Sequence, residues 1–128
     1  MRKVPGKDSK PELIIRKFLF ANGIRFRKND KRYPGKPDIF ILKYHIAIFY
    51  HGCFWHGHVN CKHSELPKSN NLYWQAKISK NINRDKLVLE KLAEAGIKAM
   101  VIWGCEIDTI PKRSQRLILL LEQIKSNN

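Results

Sequence analysis

The chain has 128 residues, 43% of them hydrophobic, and sets 25 Lys and Arg against 11 Asp and Glu, a formal net charge of +14. That length suits one domain with a real core, and no apolar run approaches the roughly 20 residues that cross a bilayer. The basic start "MRKVPGKDSK" has no apolar segment behind it, which argues against a secretory signal and for the cytoplasm, and three cysteines in a cytosolic chain do not read as a disulfide framework.

In chain order, "SKPE" reads as a capping box, with Ser9 as N-cap and Glu12 reaching back. The helix it starts runs through "LIIRKFLFAN" with Leu13, Ile14, Phe18 and Leu19 inward, and Gly23 suits its C-terminal cap. A short basic arm, residues 1–9, precedes it. "IRFRK" is a strand candidate and "NDKRYPGKP" a loop. "DIFIL" and "HIAIFY" form a hairpin about Lys43 and Tyr44, and their near-continuous apolarity predicts central strands covered on both faces. "KHSELPKSNN" is a loop. "LYWQAKISKNINRDKLVLEKLAEAG" is helical, with a break expected near Asn81 or Asn83, an apolar face of Leu87, Leu89 or Glu90, and Leu92, and an end at Gly96. "IKAMVIW" is a further buried strand, and "PKRSQRLILLLEQIKS" a terminal helix with Pro111 in its first turn. The order α-β-ββ-α-β-α predicts a mixed α/β sheet flanked by helices, the last strand parallel to one strand of the hairpin after its helical crossover.

The charge is uneven: +9 over residues 1–36, zero over 37–66 and +5 over 67–128. Two basic arms flanking a neutral centre favour a polyanionic partner over a merely solvated surface. The centre holds "HGCFWHGHVNC", residues 51–61, with three histidines, two cysteines and a Phe-Trp pair. Cys53, His58 and Cys61 give three metal ligands on one loop, and Cys105, just past the last strand, can close a tetrahedral set of the kind that holds structural zinc. His56 or His63 are alternative imidazole donors, and Cys53 and Cys105 also suit small buried positions at strand ends. If His58 is the ligand, His51 and His56 are left free beside it for proton transfer near neutral pH.

Asp38 opens a central strand, where a carboxylate is costly to bury without a partner. It suits Mg2+, a hard ion that binds through one or two carboxylates plus phosphate and water, and it also suits a simple turn. Glu12 is the other acid of interest, beside its capping role. Asp85 in "NINRD" is either a solvated helix acid or a carboxylate that orients a histidine. Phe54, Trp55 and Trp74 are either core residues or an apolar wedge for stacked bases.

Five segments, "GKDSKPE", "YPGKPDIF", "IFYHGCFWHGH", "YWQAKISKNINRD" and "LAEAGIKAMVIWGCE", together resemble the very short patch repair (Vsr) DNA mismatch endonucleases. "HGCFWHGH" is the most specific of them. The resemblance implies one restriction-endonuclease-like domain over residues 1–128, with a structural zinc. It implies a Mg2+-dependent nick in double-stranded DNA 5′ to the thymine of a T:G mismatch, the product of 5-methylcytosine deamination. Carried over by position, Asp38 and the backbone carbonyl of Tyr50 match the Mg2+ ligands, His56 the general base and Asp85 its carboxylate partner. His51 and Glu12 match groups that hold water around the ion. Cys53, His58, Cys61 and Cys105 match the zinc set, and Phe54, Trp55 and Trp74 the intercalating aromatics. Cys61 lies one residue further along than in the usual motif, so the loop is expected to bulge. A monomer, with other mismatch-repair proteins as further partners, completes the expectation. Rival readings are a nuclease of this fold with another specificity and a non-catalytic, zinc-stabilised DNA-binding module.

Overall fold

A computed structural model describes residues 10–126; the N-cap at Ser9 and the basic arm 1–9 lie outside the described residues. Three helices and four strands follow in the order α1 (Lys10–Ala21), β1 (Arg27–Lys28), β2 (Ile39–Ile41), β3 (Ile46–His51), α2 (Asn71–Glu94), β4 (Lys98–Trp103) and α3 (Ile110–Lys125). The strands form one mixed sheet in the order β1-β2-β3-β4, antiparallel except for the parallel β3–β4 pair. The expected hairpin and parallel return strand are both present. The hairpin turn is longer than two residues: His45, which was expected to open the second strand, sits at φ 55 outside it, and Leu42 is exposed. No helix among the described residues is long and apolar enough to cross a membrane.

Side chains alternate across a strand, and here both faces of the sheet are covered. Ile39, Ile41, Ile46, Ile48, Met100 and Ile102 pack against Ile15 and Leu19 of α1 and Leu117, Leu120 and Ile124 of α3. Phe40, Ala47 and Phe49 face the other way, toward Leu92 of α2 and Ile97. Each fully buried side chain of this size contributes about 1.5–3 kcal/mol, so the two layers fix the sheet firmly beneath whatever its ends carry.

Both α1 and α2 end in the same way. Gly23 (φ 79) and Gly96 (φ 78) take the left-handed conformation, and Ile24 and Ile97 donate their N–H groups back to the carbonyls of Leu19 and Leu92. α3 begins at Thr109, whose hydroxyl accepts from the Lys112 N–H, with Pro111 in the first turn as expected.

Three local expectations need correction. α2 runs unbroken for 24 residues, because Asn81 turns its amide outward to the Trp55 carbonyl and leaves the helical ladder intact. Its inner face is Ile78, Asp85, Val88 and Leu92, whereas Leu87, Leu89 and Glu90 point out. On α1 the most buried residues are Glu12, Ile15, Arg16 and Leu19; Leu13 is exposed, and Ile14 and Phe18 only flank the core. In both helices a charged residue on the inner face displaced the apolar stripe. The strand at "IRFRK" shrinks to Arg27 and Lys28 at the sheet edge.

Candidate functional site

Asp38 stands directly before β2, and its Oδ2 accepts the Tyr50 backbone N–H of the neighbouring β3 at 2.7 Å. Burial pushes its carboxyl above the ordinary range, against the opposing pull of the Tyr50 N–H, Arg16, Glu12 and His56. Glu12 reaches it from α1, within hydrogen-bonding range. The acid predicted to cap a helix thus turns its side chain onto the second buried carboxylate.

At the far end of β3 the chain leaves the sheet with His51 and folds a tight loop onto α2. Gly57 (φ 58) makes that fold possible: a Cβ there would lie 2.6 Å from Ile82 and 3.0 Å from Ile78. Asn81 donates to the Trp55 carbonyl at 2.9 Å and pins the same loop. The result brings His56 Nδ1 to 2.6 Å from Asp85 Oδ2. The His51 and His56 rings stack in parallel at 3.9 Å. Burial, and then the proximity of His56, hold His51 down to about 4, against the pull of Asp85. Its Nδ1 is buried and has no protein partner. Asp38, Tyr50, His51, His56 and Asp85 all line one cavity of about 540 Å³.

On the other side of the loop, donor atoms of Cys53, His58, Cys61 and Cys105 lie within 4.8 Å of one another. His58 Nδ1 is 3.5 Å from both Cys53 Sγ and Cys105 Sγ. Metal–sulfur and metal–nitrogen bonds of about 2.3 and 2.0 Å around a tetrahedral ion place its donors roughly 3.5–3.8 Å apart, so the set could hold such an ion. Burial and the neighbouring Cys53 push the Cys105 thiol up to about 12, whereas Cys61 is lowered overall, burial being outweighed by hydrogen bonds from the His63 N–H, the other thiols and the Ser64 N–H. Three thiols this close ionise together only when a cation joins them. The additional loop residue ahead of Cys61 is absorbed at Asn60, which takes φ 56, a conformation Asn tolerates. The two alternative imidazoles have other work: His56 holds Asp85, and His63 faces Asp108 at 3.8 Å.

The predicted aromatics also meet. Phe54, Trp55 and Trp74 form a triangle of edge contacts at 5.1, 5.3 and 5.7 Å, and Trp55 is 49% exposed. Tyr73, exposed, adds a fourth ring against Trp74. Such a patch is not a core; it offers flat apolar faces to a planar partner.

Every site residue predicted from the sequence therefore falls into one of three adjoining groups. The reading missed four neighbours. Asn29, Lys36 and Arg84 line the cavity with Asp38 and His56; two are cations in segments that look like ordinary basic loop and helix. Trp103 stacks on His58 at 4.0 Å and meets His51 edge-on at 5.2 Å, joining the thiol cluster to the cavity. Its place opposite His51 in the parallel β3–β4 register was the available signal.

Comparison with known proteins agrees with this chemistry. The family model described as DNA mismatch endonuclease Vsr matches residues 1–63. The chain is 47% identical over 125 residues to the type II nicking enzyme V.NmeAIP of Neisseria meningitidis, covering 98% of this chain and 89% of the relative. It is 39% identical over 122 residues to the type II nicking enzyme V.XorIIP of Xanthomonas oryzae, covering 95% and 89%. It is 35% identical over 107 residues to the DNA mismatch endonuclease Vsr of Escherichia coli, covering 84% and 68%.

Proposed function

The chain belongs to the Vsr family of DNA mismatch endonucleases and is a DNA-cleaving hydrolase, and on that premise we propose that it nicks duplex DNA 5′ to the thymine of a T:G mismatch by Mg2+-dependent hydrolysis. The observation that carries this reading is convergence: the His56–Asp85 pair at 2.6 Å opens on the same cavity as Asp38, beside an exposed aromatic triangle.

In this reading Asp38 and the Tyr50 carbonyl hold Mg2+, with Glu12 and His51 orienting water around it; two adjoining carboxylates and an unpartnered buried imidazole nitrogen suit a hydrated hard cation. Bound there, Mg2+ supplies Lewis-acid stabilisation to the scissile phosphate and its leaving oxygen. His56 takes the proton of the attacking water on Nε2, because Asp85 occupies its Nδ1. Asp85 fixes the tautomer and stabilises the imidazolium that forms. As the water oxygen bonds to phosphorus, the bond to the leaving sugar oxygen breaks and that oxygen takes a proton from solvent. Phe54, Trp55 and Trp74 enter the base stack, which a mismatched pair resists less than a matched one. Zn2+ is the ion we assign to the four-donor cluster, where it locks the loop that carries base and wedge together. The helix-flanked mixed sheet is read as a restriction-endonuclease-like domain.

The names of the Neisseria and Xanthomonas relatives favour one second reading, a nicking enzyme that recognises a sequence rather than a mismatch. One assay separates them: Mg2+-dependent nicking of paired duplexes, T:G against T:A, in several flanking contexts. A nick confined to the T:G duplex and lost in Asp38→Ala supports the mismatch endonuclease. Equal cutting of both favours the second reading. Tight binding without cutting overturns both in favour of a zinc-stabilised DNA-binding module.

A further inference from the structure

α1 buries a cation where an aliphatic side chain would seal the core. Arg16 is 5% exposed, and its guanidinium lies 3.4 Å from Glu12 Oε1, one helical turn away and itself shielded. Its neighbours Ile15 and Leu19 show what this face of α1 otherwise carries. Arginine is rarely buried unless it is paired, and here the pairing extends past Glu12: Glu12 reaches Asp38, and the positive charge of Arg16 acts on Asp38 as well.

The direction of approach is informative. Arg16 does not line the catalytic cavity; its exposed edge belongs to a separate shallow pocket with Leu13, Lys17 and Phe20. The guanidinium therefore stands behind the two carboxylates, leaving their cavity side open. Two carboxylates buried together repel, and each loses hydration. A guanidinium keeps its charge at any pH the protein meets. It can thus stand in for a divalent ion before that ion arrives, without occupying the ion's place.

We propose that Arg16 is a positioning residue, a resident counter-cation that holds Glu12 and Asp38 together as a preformed acidic pair while the divalent metal is absent. The proposal rests on the reading of Asp38 as the Mg2+ ligand. It implies that removing Arg16 makes the folded state depend on Mg2+, because the ion then becomes the only cation available to the pair.

The test is thermal unfolding of the zinc-loaded protein, wild type against Arg16→Met, Arg16→Lys and Asp38→Ala, in Mg2+-free buffer and at saturating Mg2+. Arg16→Met is expected to melt about 4 °C or more below wild type without Mg2+, and Mg2+ is expected to return most of that deficit while adding little to wild type. Arg16→Lys, which keeps the charge but loses the planar fork, should show a smaller deficit with the same rescue, and it carries the test if Arg16→Met fails to fold. A deficit that is the same with and without Mg2+ would reduce Arg16 to a packing residue and overturn the proposal. Mn2+ titration followed by electron paramagnetic resonance keeps the premise separate. Binding by wild type that disappears in Asp38→Ala upholds the metal reading whatever the Arg16 variants do; no binding to wild type sinks the reading and the proposal together.

Discussion

Two clusters of titratable side chains lie on either side of Trp103, and they are built in opposite ways. The thiol cluster is closed: Cys53, His58, Cys61 and Cys105 turn all four donors inward, leaving no position for substrate. The cavity cluster is open: Asp38, His51, His56 and Asp85 line about 540 Å³ of space, and their partners are one another. A closed set of soft donors does structural work, whereas an open set of hard donors and imidazoles binds and reacts. The contrast separates what the loop needs in order to exist from what it needs in order to act.

The contrast breaks most visibly at the thiols. Cys53→Ala removes a donor that is buried and central to the cluster. Structural zinc contributes folding free energy directly, so melting should fall by roughly 10 °C or more, with metal content and nicking lost together. Retention of the wild-type melting temperature after metal is stripped would mean that the closed cluster is not a lock. His56→Ala tests the other side. Nicking should drop about 10²–10⁴-fold, the usual range for a general base, while melting moves little, since His56 is only partly buried. A large loss of stability there would erase the distinction between the two regions.

The smallest effect is a slope with pH. His51 is held down to about 4 in the folded protein, chiefly by burial, against an ordinary value near 6.5. Between those values the unfolded chain binds a proton that the folded chain refuses. The stability His51 contributes is therefore complete above pH 6.5 and lost as pH falls toward 4. His51→Phe should flatten the melting-temperature profile across that window relative to wild type; parallel profiles would show that the imidazole is not held neutral.

Much of this was legible in the sequence because the loop at 51–61 concentrates residue types that neither a core nor a solvated loop wants. The apolar runs on either side of it fixed where the sheet had to lie, and β-pairing then brought Asp38 beside Tyr50. What stayed hidden was charge turned inward. Glu12 and Arg16 look like surface residues of an amphipathic helix, and they shifted the expected inner face of α1 away from Leu13. Asp85 did the same to α2. Lys36 and Arg84 carry no local pattern at all; only the packing of the Gly35 loop and α2 around one cavity distinguishes them from other basic residues. A period in hydrophobicity reports which face prefers to leave water, and a functional site is where that preference is overridden.

Trp103 gives the molecule a built-in optical channel. Its indole lies flat on His58 at 4.0 Å, while Trp55 and Trp74 sit in the aromatic triangle on the surface. The three emitters thus divide into one that senses the occupancy of the thiol cluster and two that sense stacked bases. Metal loading and DNA engagement are then two separable signals from an unlabelled protein, and Trp103→Phe silences the first while leaving the second readable.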